Sequence, residues 1–125
     1  MFSIDYPFVK KKLSKKKNIV ITTHKTPDGD ALGSSLALFH ALTQHHNVSI
    51  IVPNEYPAYL KWLPGNDHVI IHEGNEVKSN LLIDESDLIF CLDFNKLHRV
   101  DMMVNAIENS RSYKIMIDHH EEPDN

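Results

Sequence analysis

Residues 18–42 read NIVITTHKTPDGDALGSSLALFHAL, and this stretch decides the fold. Its first six residues, Asn18 to Thr23, are a β-branched apolar run of the kind that makes a buried parallel strand. Asp30 to His46 is a predicted helix with Leu32, Leu36 and Phe39 on one line and Ala31, Leu38 and Leu42 on another. Being apolar most of the way round, it is expected to be well buried. A polar loop joins strand to helix, with Pro27 and Gly29 shaping a tight turn.

The same alternation runs outward from there. Val48 to Val52 is a second predicted strand; Pro53 and Pro57 then punctuate the chain, and Tyr59 to Leu63 reads as one helical turn stopped by Pro64-Gly65. Val69 to Ile71 is a third strand, Asn75 to Ile83 a helix, Leu88 to Leu92 a fourth strand, Arg99 to Glu108 a helix and Lys114 to Ile117 a fifth strand. Upstream, Asp5 to Lys17 reads as a helix with Tyr6, Val9 and Leu13 on one face and lysines on the other. Strands alternating with helices imply right-handed crossovers and a three-layer, Rossmann-like α/β fold: a mainly parallel five-stranded sheet with helices on both faces. The order 3-2-1-4-5 brings the polar segments that follow strands one, four and five onto neighbouring strands.

Composition narrows the class. With 125 residues, 42% hydrophobic and 24% charged, the chain has room for one core and is neither disordered nor of low complexity. No apolar run reaches the roughly 18 residues of a membrane span. The opening MFSIDYPFVKKK has the wrong order for a secretory signal, so a cytoplasmic protein without membrane contact is expected. Net charge is −4, yet six of the 13 basic residues are Lys10, Lys11, Lys12, Lys15, Lys16 and Lys17; the remaining seven face 17 acidic residues, an acidic body with one basic strip. That strip is short and lacks interleaved aromatics, which argues against a nucleic-acid contact. Cys91, the one cysteine, lies between Phe90 and Leu92 and reads as a core residue.

Three polar clusters each follow an apolar strand: His24-Lys-Thr-Pro-Asp28-Gly-Asp30, then Asp93-Phe-Asn, then Asp118-His119-His120. In an open parallel sheet, strand carboxyl ends share one edge, and ligands bind in the crevice outside it. The first cluster also has a plainer reading, in which Asp30 caps the following helix and Asp28-Gly29 forms an ordinary turn. Adjacent histidines on an extended segment point to opposite sides, so one can meet a metal while the other faces substrate. Three carboxylates and up to three imidazoles, without thiolate, favour Mn²⁺, Mg²⁺, Fe²⁺ or Co²⁺ over structural zinc. Crowded carboxylates would repel one another unless cations were present, and two divalent ions provide the compensation. The chemistry expected of such a centre is in-line attack of hydroxide on phosphorus.

THKTPDGDALGSSLAL, FCLDFNKLHR and IDHH resemble motifs I, II and III of the DHH phosphoesterases. NEYPAYLKWLPGNDHVI and CLDFNKLHRVDMM are most similar to the branch of bacterial oligoribonucleases (nanoRNases) and 3′-phosphoadenosine 5′-phosphate phosphatases, also labelled exopolyphosphatase-related. The resemblance runs from about Ile4 to His120. It implies that His24, Asp28 and Asp93 hold one Mn²⁺, that Asp30, Asp93 and His119 hold the other, and that Asp93 bridges them. It further implies that His120 polarises the scissile phosphate and that Asp118 supports the histidines. Arg99 has two readings of equal weight, steadying motif II or a substrate phosphate, and a solvent-facing helix start. His40, His45, His46, His68, His72 and His98 match no motif and are expected at the surface or its boundary.

Family members run on through a motif IV that supplies another aspartate, and then to a substrate-gripping domain. The resemblance therefore implies that residues 1–125 are a DHH domain truncated before motif IV, with the second ion one negative ligand short and little activity in isolation. The implied substrates are short oligonucleotides, cleaved to mononucleotides, and 3′-phosphoadenosine 5′-phosphate, converted to AMP. Pyrophosphate or polyphosphate hydrolysis and a noncatalytic metal- or nucleotide-binding module are the alternatives. A second copy of the chain is left open as a partner.

Overall fold

The structure is a computed structural model that describes residues 6–24, 27–92 and 103–117. Five strands, β1 (Asn18–Thr23), β2 (Asn47–Val52), β3 (Val69–Ile71), β4 (Leu88–Leu92) and β5 (Tyr113–Ile117), form one sheet in the order β3-β2-β1-β4-β5. Every neighbouring pair is parallel. β1 is central, with Ile21 abreast of Ile50 on one side and Phe90 on the other.

Strand residues alternate between two cores, as the pleat requires. On one face Ile19, Ile21, Ile50, Val52, Leu88, Phe90, Leu92 and Ile115 pack with Leu32, Leu36 and Phe39 of α2 (Gly29–Leu42), and Val9 of α1 (Tyr6–Lys12) joins them. On the other, Val20, Ile51, Ile89 and Cys91 pack with Ile83 of α3 (Glu76–Glu85), with Ile107 of α4 (Val104–Asn109) and with Met103 just before it. Helices thus cover both faces. Burial pushes the Cys91 thiol up to about 12, which makes it an inert core residue. Among the described residues, no helix is long and apolar enough to cross a membrane.

Strand positions agree with the sequence reading to within one residue, but the helix ends do not. α1 stops at Lys12 rather than Lys17: the Ser14 hydroxyl donates to the Lys11 carbonyl at 2.6 Å. A longer helix would stack Lys11 on Lys15 and Lys12 on Lys16, like charges four apart. α2 runs from Gly29 to Leu42 rather than Asp30 to His46, and it buries one face, not its whole girth; Ala37 and Ala41 are exposed. The turn after it is held by His46, whose Nδ1 accepts the Lys17 N–H at 3.1 Å. The single turn expected over Tyr59 to Leu63 is a 3₁₀ turn at Ala58–Leu60, and a second follows at Asn66–His68. Between them Gly65 sits at φ +88, where a Cβ would lie 3.0 Å from the His40 ring. α3 extends two residues past Ile83; of the predicted Arg99–Glu108 helix, residues 99–102 lie outside the described residues.

His40, His45 and His68 are exposed as expected, and His98 lies outside the described residues. His46 and His72 are buried, which corrects the sequence reading. Each is paid for by a specific bond: His46 by the Lys17 amide, and His72 by the Ser79 hydroxyl at 2.6 Å from its Nδ1. Burial, reinforced at His46 by the nearby His45 and Lys17, holds both imidazoles below their ordinary range. The unfolded chain takes up these protons near about pH 6.5, where the folded chain still refuses them. Their stabilising contribution is therefore complete above about pH 6.5 and lost as pH falls toward the folded-state values. The urea midpoint should fall between pH 7 and pH 5, and should fall less in His46→Asn, whose amide oxygen can accept the same backbone N–H.

Candidate functional site

The carboxyl ends of β1, β4 and β5 lie abreast: Thr23 pairs with Leu92, and Leu92 with Ile117. The buried Thr23 hydroxyl donates to the Leu92 carbonyl at 2.9 Å and ties the ends of β1 and β4 together. Nothing in the sequence singled Thr23 out, because a threonine ending a β-branched strand is commonplace. In sequence the three strands continue into His24, Asp93 and Asp118. Asp93, Arg99, Asp118, His119 and His120 lie outside the described residues.

His24 follows β1 directly and is largely shielded, its side chain 13% exposed. Pro27 is buried, and the chain reaches Asp28 in extended conformation, φ −95 and ψ −174. There Asp28 Oδ1 accepts the Ala31 N–H at 2.9 Å, capping α2. The cap is therefore Asp28, not Asp30. Gly29 is already helical, so Asp28-Gly29 is no independent turn. Asp30 is exposed in the first turn of α2. The His24 Nε2 atom stands 3.9 Å from Asp28 Oδ1.

A separation of 3.9 Å is too long for a hydrogen bond. It is within the span of two bonds of about 2.1 Å from one divalent ion. An imidazole nitrogen and a carboxylate oxygen, without sulfur, form a donor pair that suits Mn²⁺ or a similar ion, so these residues fit a metal. Among the described residues no third histidine, cysteine or carboxylate joins them in a metal-binding group.

Capping and ligation make separable demands on Asp28. Asparagine caps a helix about as well as aspartate but lacks the charge. Asp28→Asn should keep the wild-type melting temperature, whereas Asp28→Ala should lose about 1 kcal/mol. Both should weaken Mn²⁺ binding in calorimetry; unchanged affinity in Asp28→Asn would leave Asp28 as a cap alone.

Residues 18–125 match the DHH family, N-terminal domain. The chain belongs to the DHH family. This DHH chain is also similar in structure to an exopolyphosphatase-related protein from Bacteroides fragilis, with TM-score 0.90 and 43% sequence identity. The similarity covers 95% of this chain and 35% of that one, so the DHH chain spans about a third of the relative's length. No curated protein matches it.

Proposed function

We propose that this DHH chain forms the metal-binding part of a phosphoesterase that hydrolyses short oligonucleotides to mononucleotides and 3′-phosphoadenosine 5′-phosphate to AMP. The observation that carries the reading is His24 and Asp28 brought within 3.9 Å at the carboxyl edge of a DHH-family sheet. In this reading His24, Asp28 and Asp93 hold one Mn²⁺, and Asp30, Asp93 and His119 hold a second. Two such ions, when bound, supply Lewis acidity at phosphorus and an activated water at neutral pH.

The chain's own residues then have distinct tasks. Asp28, Asp30 and Asp93 bring three negative charges that anchor the cations, with Asp93 shared between them. Asp118 orients the histidines by hydrogen bonding, as groups behind metal ligands do. His120 donates to a phosphate oxygen as negative charge builds there, and Arg99 is suited to a second phosphate oxygen through its planar fork. Thr23 keeps the ends of β1 and β4 level, so that the segments following them start from one height.

Pyrophosphate or polyphosphate hydrolysis is the second reading, favoured by the description of the Bacteroides fragilis protein as exopolyphosphatase-related. A single assay separates the two. The protein is incubated with Mn²⁺ and, in parallel, with pApA, 3′-phosphoadenosine 5′-phosphate, pyrophosphate and a long polyphosphate. AMP release that stops with EDTA supports the nucleotide reading; phosphate release from the inorganic substrates alone replaces it with the second.

A further inference from the structure

We propose that the lysines of residues 10–17 and Tyr113 form a docking strip for single-stranded nucleic acid along the amino edge of the sheet, the edge away from the candidate metal centre. Residues 6–17 hold six lysines and no acid. Lys10, Lys11, Lys15 and Lys16 are exposed, and among the described residues none of the six takes part in an ion pair. Asp87, an acid at the same edge, has its Oδ2 on the Asn18 N–H at 2.8 Å. Lysines in the last turn of a helix complement its dipole, which accounts for Lys10, Lys11 and Lys12 of α1. It does not account for Lys15 and Lys16, which lie beyond the helix end and add to the same unpaired charge.

The aromatic that the lysine run lacks in sequence comes from β5. Lys12 Nζ lies 5.3 Å from the Phe8 ring centroid and 5.9 Å from that of Tyr113, and the two rings are 4.8 Å apart. Tyr113, the first residue of β5, is thereby set against α1 while remaining 44% exposed. The amino ends of β1, β4 and β5 are level: the Asp87 N–H donates to the Asn18 carbonyl at 2.7 Å, and the Tyr113 N–H to the Asp87 carbonyl at 3.1 Å. Lys17 directly precedes Asn18, so the strip follows this edge, whereas His24 leaves the other end of β1. The six residues of β1 put about 20 Å between the two. A membrane surface fits less well, because Val9 and Leu13 pack against the core and are not free to enter a bilayer. A polyphosphate matches the lysines but has nothing to set against the ring. A nucleic-acid strand matches both, its phosphates meeting the lysines and its bases offering π faces.

With the full chain in EDTA, which removes metal-dependent binding, the anisotropy of a fluorescein-labelled single-stranded oligouridylate should report the contact. Four exposed lysines should make affinity fall about 50-fold between about 50 and 200 mM salt, and the double variant Lys10→Gln, Lys11→Gln should reduce that fall to about sevenfold. Tyr113→Leu, which keeps apolar bulk beside Phe8, should weaken the oligonucleotide at least about fivefold and leave long-chain polyphosphate, measured by calorimetry, unchanged. Tyr113→Phe, which keeps the ring, should bind as the parent chain does. No binding in EDTA, or an unchanged salt dependence in the lysine variant, would overturn the strip. Equal oligonucleotide affinity in Tyr113→Leu would overturn the nucleic-acid assignment and leave a general attraction for polyanions. Phosphatidylserine vesicles bound in preference to the oligonucleotide would replace it with a membrane surface. Failure of the metal centre would leave each of these results unchanged, since none needs the ion.

Discussion

Mn²⁺ titrated into this DHH chain should bind in two steps, the second weaker, and both steps should vanish in Asp93→Ala. The reason is charge sharing. Two divalent ions close together repel, and a carboxylate bonded to both is what holds them at one site. The weaker step follows from the count of anions: Asp28, Asp30 and Asp93 bring three negative charges against four positive ones. Replacing a residue that merely hydrogen-bonds to a metal ligand already lowers affinity by about 10–100-fold. Removing a ligand shared by both ions should exceed that. One full-strength site surviving in Asp93→Ala would mean that His24 and Asp28 hold their ion without a bridge.

Ile21→Ala should lower stability by about 3–5 kcal/mol, enough to bring a domain of ordinary stability close to unfolding. Ile21 has no exposed surface, sits on the central strand, and packs against α2 through Leu32 and its neighbours. Both flanking strands hold its backbone, so the sheet cannot close over the lost methyl groups. The urea midpoint of the purified variant measures the loss. Leu81→Ala, on the exposed side of α3, should change it by less than about 0.5 kcal/mol.

The sheet was legible because its strands are short, apolar and rich in β-branched residues, and because each is followed by polar residues or turn formers. Asn18 to Thr23 could scarcely be anything else. The helix ends were not legible, since they depend on tertiary bonds. His46, past the end of α2, accepts the backbone N–H of Lys17, a partner 29 residues away. By spacing Asp30 reads as the cap and Asp28-Gly29 as a turn; the extended backbone at Asp28, with its side chain on the Ala31 N–H, makes Asp28 the cap instead. His46 and His72 read as surface residues because burial of an imidazole requires a matched donor or acceptor, and neither the Lys17 amide nor the Ser79 hydroxyl is a local signal. Of the candidate site, the neighbouring strand ends follow from the alternation of strands and helices, and the closeness of His24 and Asp28 agrees with what the family resemblance implies.

The position of β1 at the middle of the sheet also sets a timetable for synthesis. One edge of β1 can be covered once residues 47–52 have emerged, but its other edge waits for residues 88–92. During that interval a run of Ile-Val-Ile with unpaired backbone groups is open along one side, which is the geometry that recruits strands from other chains. The Thr23–Leu92 bond spans 69 residues and can form only when the interval ends. A ribosome pausing between α3 and β4 would therefore hold the nascent chain at its most aggregation-prone length.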